Sequence, residues 1–118
     1  MIHRNAKLTF FWDHDDVMDF QLELRSVLEA DTPVSKVLPE EEAQTEVFKR
    51  FLKFGKEGRR GKRIASVRNT EDDSLGLEVV TIVNLTPRRD FQYEDVVDRA
   101  MLEASDAGYH LTVRRVEV

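Results

Sequence analysis

Apolar side chains along the chain fall into short runs, and the spacing within each run predicts an element. Residues 7–12, KLTFFW, are short and aromatic and read as a strand. Asp13, His14, Asp15 and Asp16 follow, and aspartates are good helix N-caps, so a helix is expected from about residue 15. Val17, Phe20, Leu24 and Leu28 then recur at helical spacing, which predicts an amphipathic helix over 15–30 with its stripe turned to a core. The segment DTPVSKVLP reads as a connection. Pro39 with Glu40, Glu41 and Glu42 predicts a second helix start, because proline is tolerated in the first turn and acids favour the positive end of the helix dipole. Val47, Phe48, Phe51 and Leu52 supply its buried stripe. Lys49, Arg50, Lys53 and Lys56 crowd its last turns, where Gly55 or Gly58 can end it in a left-handed conformation.

Residues 64–69 read as a strand, TEDDSLG as a turn, and residues 77–85, LEVVTIVNL, as the second arm of a hairpin, so continuous in apolar residues that it belongs in a sheet interior. After the turn NLTPRRD, a third helix is expected from Tyr93 to Ala107, with Val97, Ala100, Met101 and Ala104 inward and Gly108 as a left-handed stop. YHLTVRRVEV, residues 109–118, is the last strand. The fold class this order predicts is α+β, a ferredoxin-like two-layer sandwich of order β-α-α-β-β-α-β with a four-stranded antiparallel sheet. Its first and third strands would be central, and these are the most apolar; its edges would carry Arg68, Arg114 and Arg115, charges that discourage edge-to-edge pairing. The last strand leaves room for a homodimer by pairing across a two-fold, with Arg114 and Arg115 counting against a flat edge.

Length and composition add bounds. With 118 residues, 41% hydrophobic and 35% charged, residues 1–118 are expected to form a single domain. The absence of cysteine excludes disulfides, thiolate metal sites and a cysteine nucleophile, and permits an intracellular compartment. No apolar run approaches the roughly 18 to 20 residues of a membrane span, and residues 1–16 lack a signal peptide's apolar core, so the expected location is the cytoplasm and no membrane contact is expected. The net charge of −5 hides segregation: residues 49–68 alone carry +8, leaving −13 elsewhere, and eleven acids lie between Asp13 and Glu46. Such a dipolar surface can steer charged partners.

The basic run FGKEGRRGKR invites three readings. A P-loop needs G-x-x-x-x-G-K followed by Ser or Thr between a strand and a helix. Gly55 to Gly61 has one residue too many, Arg63 stands where the hydroxyl belongs, and the run is expected to leave a helix and enter a strand. As a nucleic-acid patch, Lys56, Arg59, Arg60, Lys62 and Arg63 would contact phosphates; pI 5.2 and the lack of an interleaved aromatic count against it. A solvated helix end, or a patch for an acidic protein, accounts for the same residues. Asp13, His14, Asp15 and Asp16 include metal-donor types, yet neighbours at a strand end point in different directions, and capping explains them. At least one of Phe10 and Phe11 must face the core, because neighbours in a strand alternate. Catalysis has no foothold in a nucleophile elbow, a His and acid pair or a glycine fingerprint, and no cofactor or metal is expected.

Phe51, Leu52, Gly55, Glu57 and Gly58, in FLKFGKEG, resemble an FLxxGxEG segment of the gene 5.5 protein family of T7-like phages. The resemblance extends at most over residues 7–68, through a strand, helix, loop and helix layout; RRGKR and everything beyond depart from it. It implies a non-enzymatic phage protein that binds a host macromolecule, in that family the nucleoid-structuring protein H-NS. The functional expectation is therefore a non-enzymatic interaction protein, a phage or mobile-element accessory factor that modulates a host protein through charged surfaces. The alternative is a nucleic-acid-binding protein using residues 49–68.

Overall fold

One segment carries both the helical and the strand period, and its even-numbered residues decide between them. Phe20, Leu22, Leu24 and Leu28 alternate with Gln21, Glu23, Arg25 and Val27, whereas a helix with residues 17, 20, 24 and 28 inward would turn Leu22 to solvent. In the computed structural model, which describes residues 2–29, 31–68 and 75–118, Asp16–Glu29 is a strand, β2, and Phe20, Leu22, Leu24, Ser26 and Leu28 are all buried. It pairs antiparallel with β1, His3–Asp13. The expected helix over 15–30 does not form, and the aspartates expected to cap it instead close a tight hairpin. Asp13 pairs with Asp16, and His14 takes φ 56°, the left-handed region that histidine enters more readily than most residues.

The remaining elements are α1 (Val34–Lys49), β3 (Gly55–Arg68), β4 (Leu75–Pro87), α2 (Tyr93–Ala107) and β5 (His110–Glu117). The five strands form one sheet in the order β3-β4-β2-β1-β5, in which β1 and β5 are parallel and the other neighbours antiparallel. The expected ferredoxin-like order and its four-stranded antiparallel sheet are thus overturned: 16–29 supplies a fifth strand, and β5 makes the sheet mixed. KLTFFW and LEVVTIVNL do lie in interior strands, while β3 and β5 are the edges. β2 and β3 both run antiparallel to β4, so α1 connects two parallel strands across it; α2 likewise links β4 to β5 across β2 and β1.

Both helices lie on one side of the sheet. Phe48 of α1 and Val96, Ala100 and Ala104 of α2 pack on Leu8, Phe10, Phe20, Leu22 and Val83 in one core cluster. Glu103 of α2 ties the two helices together by pairing with Arg50 at the end of α1, at 2.5 Å, and it pairs with Arg99 within α2 at 3.4 Å. Among the expected inward residues of α2, Ala100 and Ala104 are buried and Val97 packs against the core, but Met101 is 59% exposed. Val96 takes the inward place. Gly108 stops α2 with φ 73°, as expected.

Both ends of α1 differ from expectation, and β3 begins nine residues earlier than expected. α1 begins at Val34 rather than Pro39, which lies inside it, so the three glutamates are not in its first turn. It ends at Lys49, with Arg50 in an ordinary right-handed conformation, so neither Gly55 nor Gly58 caps it. Gly55 opens β3 instead, packed so closely that an added Cβ would sit 3.0 Å from the Leu85 Cβ and the Phe20 ring. Most of the expected turn TEDDSLG falls in 69–74, outside the described residues. Among the described residues, no helix is long and apolar enough to cross a membrane.

Candidate binding face

With both helices on one side, the other side of the sheet is uncovered. Cross-strand register assigns residues to it: Lys7, Thr9 and Phe11 from β1; Asp19, Gln21, Glu23 and Arg25 from β2; Glu78, Val80, Asn84 and Thr86 from β4; Lys56 and Arg63 from β3; Arg114 from β5. By the same register Asp13, Asp16 and Glu29 fall on this side too, so its five strand cations, Lys7, Arg25, Lys56, Arg63 and Arg114, stand with six acids. The two helices, by contrast, carry nine acids and three basic residues between them. The basic and acidic segments expected to form a dipolar surface along the chain thus become a difference between layers, the bare face close to charge balance and the helices strongly acidic.

Charge runs across the bare face as a ladder. Lys7 Nζ lies 3.7 Å from Glu23, Glu23 accepts from Arg25 at 3.4 Å, Arg25 pairs with Glu78, and Glu78 accepts from Arg63 Nη2 at 3.4 Å. Val80 lies directly between Arg25 and Arg63 in the register and is 2% exposed although no helix covers it. The aliphatic stems of the two arginines shield it while their charged heads reach Glu78. Each surface pair is worth about 0 to 1 kcal/mol, so the ladder sets charge placement more than stability.

The five basic residues singled out from the sequence do not form one patch. They lie along β3, whose side chains alternate, and the strand's edge position accounts for much of their charge. On the helix side, Lys62 Nζ donates to Glu41 Oε1 at 3.2 Å and to Thr45 Oγ1 at 3.1 Å, and Arg60 Nη2 donates to Glu57 Oε2 at 3.1 Å. Arg63 is on the bare side, paired with Glu78. Among the described residues, only Lys56 and Arg59 of the five lack an ion pair.

Arg59 borders an open cleft of about 700 Å³ at the hairpin end of the bare face, lined also by Phe11, Met18, Gln21, Asn84 and Thr86. Gln21 Nε2 donates to Asn84 Oδ1 at 2.8 Å, and Thr86 Oγ1 donates to Asp19 Oδ1 at 3.3 Å. Phe10 is fully buried on the other side, so the alternation expected for the Phe10 and Phe11 pair holds. Trp12 also turns to the helix side, against Tyr93 and beneath the Arg115 guanidinium at 4.0 Å. The amide pair went unnoticed in the sequence; its only one-dimensional trace is Asn84 interrupting an apolar run. Asp13, His14, Asp15 and Asp16 stay a turn, and among the described residues no three acids or histidines are grouped to hold a metal ion.

The polar groups of the helix side have a structural role. Gln44, fully buried, donates to Ser26 Oγ and to the Val79 carbonyl, both at 2.9 Å, and accepts from Thr81 Oγ1 at 2.7 Å. Ser26 donates in turn to Glu40 Oε1 at 2.6 Å. Burial pushes the Glu40 carboxyl up, but the Arg4 guanidinium and the Ser26 hydroxyl outweigh it and hold the group below the usual carboxylate range. The hydrogen bond to Glu40 holds Arg4 correspondingly high. Burial raises the Tyr109 phenol, whose buried hydroxyl has no hydrogen-bond partner among the described residues.

No family model matches the chain, and no curated protein matches it. Among solved structures, it is similar to the crystal structure of SMU.848 from Streptococcus mutans, at 10% identity and a TM-score of 0.36, over 97% of this chain and 99% of that one. A likeness at that score assigns neither fold nor function.

Proposed function

We propose that this chain is a non-catalytic interaction protein, a phage or mobile-element accessory factor that lays its bare sheet face on a charged surface of a host protein. The observation that carries the reading is the contrast of layers: the face that no helix covers among the described residues carries cations and acids in near balance, whereas the helices carry nine acids against three basic residues. Mixed charge suits a folded protein surface, where an alternating ladder can find complementary partners. A second reading, nucleic-acid binding through residues 49–68, draws on only Lys56 and Arg59 of the five basic residues singled out from the sequence, because Arg60, Lys62 and Arg63 are paired with acids. Two free cations form a short phosphate track.

Affinity capture from a bacterial lysate, with and without nuclease, tests both. Lys56 and Arg114 make no ion pair or side-chain hydrogen bond among the described residues, so a Lys56→Glu, Arg114→Glu double variant breaks neither kind of contact there. A protein retained after nuclease treatment and lost with the double variant is the expected result. Retention that disappears with nuclease overturns the reading in favour of nucleic acid, and retention indifferent to the charge reversal overturns it outright.

A further inference from the structure

Two β-bulges flank the cleft at the end of the bare face, and the geometry points to that cleft as a binding site for a nucleoside monophosphate. In the β3 and β4 pairing, Glu57 sits opposite Leu85 and Arg60 opposite Val83, so Gly58 and Arg59 together span Asn84. In a regular strand Arg59 would stand opposite Val83 and share its helix-facing side. The extra residue passes that position to Arg60 and leaves Arg59 at the cleft, with no acid paired to it among the described residues. In the β1 and β2 pairing, Phe11 faces Asp19 and Trp12 faces Val17, which makes Met18 the extra residue, 47% exposed at the same cleft. Bulges re-aim side chains next to binding sites, and here two of them converge on one volume.

The cleft holds the groups that a nucleotide requires. Its volume of about 700 Å³ lies in the range of small-ligand sites. Phe11 offers a partly exposed ring for a base to stack on. The hydrogen bond from Gln21 Nε2 to Asn84 Oδ1 uses one donor and one acceptor, leaving Gln21 Oε1 and Asn84 Nδ2 as an acceptor beside a donor. That order complements the edge of a base, where a ring or exocyclic N–H adjoins a carbonyl or ring nitrogen. Arg59 supplies the cation for the phosphate, and Asp19, held by Thr86, accepts a ribose hydroxyl. The site requires no macromolecular partner, so it stands or falls apart from the protein-binding reading.

Calorimetric titration of the purified full chain with AMP, GMP, CMP and UMP tests the assignment, with inorganic phosphate and the free nucleosides as controls. At least one nucleotide is expected to bind more tightly than its nucleoside and than phosphate. Arg59→Ala should weaken that binding about tenfold and remove the advantage over the nucleoside. Gln21→Ala should weaken or reorder the preference among bases while leaving unfolding transitions in place, since Gln21 is outside the core. No binding by any of the four nucleotides at millimolar concentration overturns the proposal. So does binding that inorganic phosphate matches, or that neither variant changes.

Discussion

The Arg4 guanidinium grips the Glu40 carboxylate with two prongs, Nε to Oε1 at 2.7 Å and Nη2 to Oε2 at 3.1 Å, and so ties β1 to α1. Because Glu40 is held below its ordinary value of 4.5, its contribution to stability is present above that pH and is lost as pH falls through the lower folded value. In that window the unfolded chain binds the extra proton. The urea midpoint is therefore expected to fall with pH below about 4.5. Glu40→Gln should flatten this dependence and cost about 1 to 3 kcal/mol at neutral pH by leaving Arg4 without its carboxylate.

Leu22→Ala separates the two readings of residues 16–29. Leu22 is 1% exposed and faces Leu8 and Val83 across the neighbouring strands. The truncation is expected to lower unfolding free energy by about 2 to 5 kcal/mol in chemical denaturation. A helix with residues 17, 20, 24 and 28 inward would place Leu22 in solvent, and the change would then stay within about 0.5 kcal/mol.

Two glycines of β3 should respond in opposite ways. An alanine at Gly55 would press its Cβ against Leu85 and the Phe20 ring, so Gly55→Ala should destabilise by about 1 to 3 kcal/mol. Nothing lies within 4 Å of the Cβ position at Gly61, and Gly61→Ala should be neutral or slightly stabilising. Parallel thermal melts of the two variants make the comparison.

Gly108, at φ 73°, ends α2 in a conformation that costs a residue with a Cβ. Gly108→Ala should cost about 1 kcal/mol, and Gly108→Asn less, because asparagine tolerates the left-handed region. Unfolding curves that rank alanine above asparagine would contradict this account of the stop.

Local signals were legible where one period stood alone. Ala100 and Ala104 followed by Gly108 mark α2 and its end, and LEVVTIVNL reads as interior because its apolar residues run nearly without a break. Phe20, Leu24 and Leu28 fit a helix and a strand equally, and only Leu22 tips the balance towards a strand. β3 gave no signal over GKEGRRGKR because an edge strand needs few apolar residues, and its charges find Glu41 and Glu78 on other elements and Glu57 within the strand. The cleft was illegible for a related reason. Which side Arg59 occupies depends on one extra residue in the pairing with Asn84, and the meeting of Gln21 with Asn84 depends on strand order, neither of which is written in local spacing.

The parallel seam between β1 and β5 has a consequence for how the chain acquires its structure. Asn5 aligns with His110, so β1 is made early and receives its outer neighbour only after β4 and α2 have been synthesised. Until then the growing chain presents one rim of β1, with the aromatic run Phe10, Phe11 and Trp12, unpaired. Contacts of such long sequence separation form slowly, and exposed strand rims invite association with other nascent chains. For this protein the passage off the ribosome, rather than the finished fold, is the stage most exposed to aggregation.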